Sequence, residues 1–188
     1  MDQQQRPRGF MEQALIGLGI ISFVARVLAM SVEPILHRRM GKHALGMPAM
    51  FATLAIPFWG AFFPGDDLRY LLWFWLVFLA GCISNRVFPA PPGEHTRYGG
   101  VPRLWFLFRR ADELSMKAKV EPALVMLAGV VFLSASEALG TYLLAAGFGL
   151  AIDIAITEAV HRAKVDQLND ARLEQERFAM DFRAMRGE

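Results

Sequence analysis

The sequence predicts an all-α integral membrane protein. It is a helical bundle of two transmembrane hairpins, with an N-terminal amphipathic, membrane-associated helix and a C-terminal cytoplasmic helix. Three observations carry this expectation. Hydrophobic residues make up 54% of the 188, charged residues only 20%, and mean hydropathy is +0.31, where ordinary soluble domains carry about 25% charged residues. The apolar excess is gathered into blocks near the length that a bilayer demands. Between and after the blocks lie short polar breaks, one long basic connector and a charged, helix-forming tail. The expected segments are 1–46 (N-terminal tail and amphipathic helix), 47–88 (first hairpin), 89–120 (cytoplasmic connector), 121–157 (second hairpin) and 158–188 (cytoplasmic amphipathic helix).

Met1 to Gly9 is polar. The apolar stretch from Ala14 to Ala25 has the length of a signal-peptide core, but no small-x-small cleavage pattern follows and Glu12 stands where a basic flank belongs, so it is expected to be retained. Beyond Ala25 the pattern turns amphipathic. At 100° per residue, Ser22, Arg26, Glu33 and His37 fall within about 60° of one another. An unpaired Arg26 at mid-bilayer would cost at least ~2.5 kcal/mol, which favours an interfacial helix here over a crossing one.

Met47 to Pro64 is a short apolar block containing Pro48 and Pro57, with a kink expected where Pro57 removes a backbone donor. Pro64-Gly-Asp-Asp67 is a strong turn signal. Leu68 to Val87 then reads as a clear span, with Tyr70, Trp73 and Trp75 near its start suggesting an aromatic belt. The three prolines in Phe88-Pro-Ala-Pro-Pro-Gly93 exclude a helix there. Glu121–Ser134 and Leu139–Ile156 form the second apolar pair, broken by Ser134-Ala-Ser-Glu-Ala-Leu-Gly140. Gly140, Gly147 and Gly149 in this pair allow close helix approach.

Charge sets the expected orientation. Seven Lys or Arg face three acids between Arg86 and Lys119, whereas the 64–67 turn is acidic and the 134–140 break has no basic residue. Positive-inside counting therefore places the connector and the C-terminus in the cytoplasm, as in a bacterial-type inner membrane protein.

Three groups of residues carry the candidate chemistry. Asp153, with Arg26 and Glu33, supplies intramembrane charge, which is a functional-site hypothesis by default. Asp153 also heads a stripe with Thr157, His161 and Lys164, and its bland alternative is an ion pair with Arg26 or Arg86. In the connector, His95, Arg97, Tyr98, Arg103, Arg109 and Arg110 are expected to contact membrane lipid headgroups or another anion. In the tail, Leu168, Ala171, Gln175, Phe178, Phe182 and Met185 are spaced 3-4-3-4-3, one seam of a heptad pattern suited to a partner helix. Arg172–Glu176 and Arg177–Asp181 flank that seam as i,i+4 pairs.

His161-Arg-Ala-Lys-Val-Asp166 has the spacing His-x4-Asp. It resembles the catalytic block of glycerolipid acyltransferases, a resemblance that implies a histidine base oriented by the aspartate. On a continuous helix residues five apart point about 140° away from one another. No catalytic set, cofactor or metal site is expected. Cys82 is the single cysteine, His37 and His43 lack metal spacing, and no Gly-rich phosphate loop or nucleophile elbow occurs. Nucleic-acid binding is not expected, because the basic residues adjoin apolar spans. The expected function is a non-enzymatic membrane subunit that assembles with itself or with partner proteins through the connector and tail. A small transporter or channel-like subunit using Asp153 and Arg26 is the alternative, and a lipid-modifying enzyme comes third.

Overall fold

In the computed structural model, the residues described are 8–41, 44–89, 100–103 and 116–186. They are mostly helical. Helix α1 spans Arg8–Leu36, and strand β1 spans His37–Arg38. Helix α2 spans Met47–Trp59 and tightens into a 3-10 turn over Gly60–Phe62. Helix α3 spans Arg69–Val87 and strand β2 spans Val101–Pro102. A π-helical turn over Met116–Val120 leads into α4, Glu121–Phe132, and α5 spans Glu137–Arg186. The chain divides into two compact units, Met1–Asp153 and Ile154–Glu188.

Among the described residues, three helices are long and apolar enough to cross a membrane. They run over Ile16–Leu36, Arg69–Val87 and Glu137–Met180. The apolar stretch Met47–Phe62 is shorter, and α4 has only 12 residues, where a crossing takes about 20. The sequence reading gave crossings to those two short blocks and an interfacial role to the first segment. That role rested on Arg26 lacking a partner. The structure supplies two partners, which removes the stated obstacle to a crossing α1.

The core of the first unit is built from small and apolar residues of every helix, including Ala29, Met30, Ala52, Ile56, Phe78, Tyr142, Ala146 and Leu150, all essentially inaccessible. Tyr142 lies edge-on to Trp59 at 5.6 Å between ring centroids and tilted against Phe74 at 5.7 Å. Pro57 leaves the carbonyl of Thr53, four residues back, without its helical donor. The Trp75 indole N–H donates to that same carbonyl at 2.9 Å. The half-buried Trp75 therefore secures α2 to α3, whereas Trp73 is exposed as a belt residue would be.

Short-range chemistry fixes the two ends of this unit. At one end, Asp66 of the 64–67 turn stands at the start of α5. Its Oδ2 accepts from the Ser136 hydroxyl at 2.8 Å and from the Ala138 N–H at 2.7 Å. These donors, the Ala138 N–H first, hold the Asp66 carboxyl below the ordinary aspartate range, as expected for an anion at a helix N-terminus. At the other end, β1 and β2 pair antiparallel, His37 opposite Pro102 and Arg38 opposite Val101. Gly100 precedes β2 with φ of 84°, and a Cβ there would meet the Arg38 carbonyl oxygen at 2.7 Å, so only glycine fits.

Candidate functional site

The site is built on the polar stripe of α1. Arg26 Nη1 donates to Glu33 Oε1 and to Asp153 Oδ2, both at 2.7 Å. Glu33 lies two helical turns beyond Arg26 and on its face, which is why the contact forms within one helix. Asp153 arrives from α5. Gly149, one turn earlier, has no room for a side chain: a Cβ would meet Leu28 Cβ at 2.6 Å and the Ala25 carbonyl oxygen at 3.0 Å. That backbone-close approach of α1 and α5 brings the Asp153 carboxylate to the guanidinium. Both carboxylates are buried, whereas the Arg26 side chain keeps 32% exposure.

One turn after Glu33, His37 begins β1 and is buried. Its Nε2 meets both oxygens of Glu121 at 3.0 and 2.9 Å. Glu121 is 1% exposed where the π-helical turn passes into α4. Asn85 of α3 holds this region together. Its Nδ2 donates to the carbonyls of Pro34 and Gly81 at 3.1 Å and of His37 at 3.3 Å, while its Oδ1 accepts from the Met40 N–H at 3.5 Å. Arg103 Nε adds a bond to the His37 carbonyl at 3.2 Å. Two buried polar atoms stay without a hydrogen-bond partner among the described residues at this site, Glu33 Oε2 and His37 Nδ1.

Of the residues singled out in sequence, Arg26, Glu33 and Asp153 are thus brought together. His161 and Asp166 lie exposed on the continuous helix α5, as do Thr157 and Lys164. Arg103 is exposed, with its Nε bonded to the His37 carbonyl. His95, Arg97, Tyr98, Arg109 and Arg110 lie outside the described residues. A cavity of about 310 Å3 opens beside this end of the unit, lined by Gly41, Leu45, Asn85, Arg86 and Pro89. In the second unit the seam residues Leu168, Ala171, Gln175, Phe178, Phe182 and Met185 are all exposed. Arg172 Nε bonds Glu176 at 2.9 Å, and Arg162 pairs with Glu158.

Sequence reasoning missed the His37–Glu121 pair and the Asn85 hub. The available signals were an acidic residue opening an apolar block at Glu121 and an amide closing another at Asn85. Among the described residues, no cluster of three or more His, Cys, Asp or Glu side chains is arranged to hold a metal. Fold and site together define a small α-helical protein with three membrane-length helices and a buried cluster of ionisable groups. No protein family, curated protein or solved structure compared with the chain matches it.

Proposed function

We propose that this protein is a non-enzymatic integral membrane subunit that assembles with itself or with partner proteins through its cytoplasmic tail helix. The observation that supports this is the second unit. From Ala159 to Met180 every residue is exposed, and so are Phe182 and Met185. Leu168, Phe178, Phe182 and Met185 each keep 65% or more of their surface. Large apolar side chains held in helical register and open to water gain stability when a second helix covers them. The connector is proposed to add to this surface and to contact anionic lipid headgroups, with connector and tail in the cytoplasm of a bacterial-type inner membrane, as the basic excess between Arg86 and Lys119 favours. The test is the mass and composition of the complex extracted in mild detergent through a tag after Glu188. A stoichiometric assembly is expected, lost in the Phe178→Asp, Phe182→Asp double variant. A clean monomer from the unaltered chain would overturn the proposal.

One observation favours a second reading, a small transporter or channel-like subunit. A single guanidinium nitrogen is shared by two buried carboxylates inside membrane-length helices, an arrangement common where ions or protons pass. Ion flux in proteoliposomes, abolished by Asp153→Asn with assembly preserved, would establish that reading in place of the first.

A further inference from the structure

The tail's heptad register fixes more than its apolar seam. With Leu168, Gln175 and Phe182 at a, and Ala171, Phe178 and Met185 at d, the flanking e and g positions are fixed as well. Over 160–186 the g positions hold Val160, Gln167, Glu174 and Asp181, and the e positions hold Val165, Arg172, Ala179 and Arg186. Every acid in this set stands at g and every base at e. Helix α5 runs unbroken through all of them to Arg186. From Val160 to Met180 each residue is exposed, so none of the described residues covers this face.

That division of charge selects how a second copy can lie on the seam. Two copies laid antiparallel set g beside g and e beside e, acid against acid and guanidinium against guanidinium. Like charges juxtaposed in this way oppose association. Laid parallel and in register, g of one copy faces e of the other, five residues further on. Val160 then meets Val165, Gln167 meets Arg172 and Asp181 meets Arg186, each of the second copy, while Glu174 faces the neutral Ala179. The bond from Arg172 to Glu176 of its own helix engages only Nε, which leaves the Nη groups to reach across. Gln175 makes the same selection. In the parallel arrangement it faces Gln175 of the second copy, and each amide offers both a donor and an acceptor. In the antiparallel arrangement an a position faces d, and Ala171, Phe178 or Met185 would leave the covered amide unpaired.

We propose that the partner of the tail is a second copy of this chain, bound as a parallel, in-register helix pair over 160–186. The inference rests on the proposed reading of the chain as a membrane subunit that assembles through its tail, and it names the partner. Copies inserted into one bilayer with the same orientation deliver their tails on the same side, as a parallel pair requires. Confinement to that bilayer also raises their effective concentration, which offsets the shortness of the seam.

Disulfide trapping of the full-length protein in its membrane tests the pairing, in a Cys82→Ser background. Leu168 and Met185 lie at opposite ends of the seam and are 71% and 75% exposed, so a cysteine at either leaves the fold of the chain intact. Under mild oxidation Leu168→Cys alone and Met185→Cys alone are each expected to give a dimer-sized band. The band should be absent from Asp166→Cys, which stands at f on the outer face, and lost when Phe178→Asp and Phe182→Asp are added. A band that forms only between Leu168→Cys and Met185→Cys chains made together shows an antiparallel pair and overturns the proposal. No band at either position, with a different protein bound in the detergent-extracted complex, overturns the proposal and leaves assembly through the tail standing. No band and a monomer in detergent overturns both.

Discussion

Arg26 answers for two carboxylates at once, and this makes its loss costlier than the loss of either partner. Arg26→Gln leaves Glu33 and Asp153 buried without a counter-charge, and an expected stability loss of about 3–5 kcal/mol follows. Asp153→Asn frees Arg26 from one acceptor but keeps Glu33. The double variant Arg26→Gln, Asp153→Asn should therefore lose less than the sum of the singles in detergent unfolding, and additive losses would show that the pair is not coupled. Asp66 makes a second prediction at this scale. Its carboxyl titrates below the ordinary aspartate range because Ala138 and Ser136 donate to the charged form. The folded value lies under the unfolded one of about 3.9, so the contribution is full above that value and is lost as pH falls through the folded one. Thermal stability should drop in that acid window, and Asp66→Asn should flatten the drop. The α1 stripe was legible because a 3.6-residue period aligns Arg26, Glu33 and His37 without knowledge of any other helix. The partners Asp153 and Glu121 were not assignable, because nothing local in a sequence records a contact across α5 or α4.

At the scale of the element, Pro57 shows how one omission organises two helices. The sequence reading took it as a kink. In the structure α2 runs through it to Trp59, and the carbonyl that Pro57 leaves open at Thr53 is taken by Trp75 of α3. Trp75→Phe orphans that carbonyl, an expected cost of about 1–3 kcal/mol. In a Pro57→Ala background the helix regains its own donor, so the same Trp75→Phe change should cost less. Equal penalties in the two backgrounds, read by denaturant unfolding, would refute the link. Lengths were the less legible feature here. Apolar blocks at 47–64 and 121–134 look like spans by composition, whereas local hydrogen bonding ends α2 at Trp59 and α4 at Phe132. The Ser134–Gly140 break, by contrast, was readable: it separates α4 from α5, and the carboxylate of a distant turn caps the second of them.

Across the first unit, charge is segregated. The acidic 64–67 turn meets the start of α5 through Asp66 and Ser136, while Arg38, Arg86 and Arg103 gather with His37 and Asn85 where α1 and α3 finish. The orientation proposed above then makes a direct prediction in a Cys82→Ser background. Ser134→Cys should react with an impermeant thiol reagent added outside intact cells, and Lys119→Cys only after the membrane is opened. Reaction of both from outside would reverse or abolish the proposed orientation. The heptad seam of the tail was legible for the same reason as the α1 stripe. The partner proposed for it would lie in another helix or another chain, where a single sequence carries no signal.

The Arg26–Asp153 bond joins residues 127 apart in sequence, and this separation has a consequence in time. Arg26 and Glu33 leave the ribosome almost together, so the guanidinium already has one counter-ion when α1 meets the lipid. Asp153 follows roughly 6–25 s later at common elongation rates of about 5–20 residues per second. Through that interval the nascent helix depends on its own carboxylate alone. Glu33 is therefore the counter-ion that α1 carries within itself, and Asp153, reached only once α5 is made, completes the site.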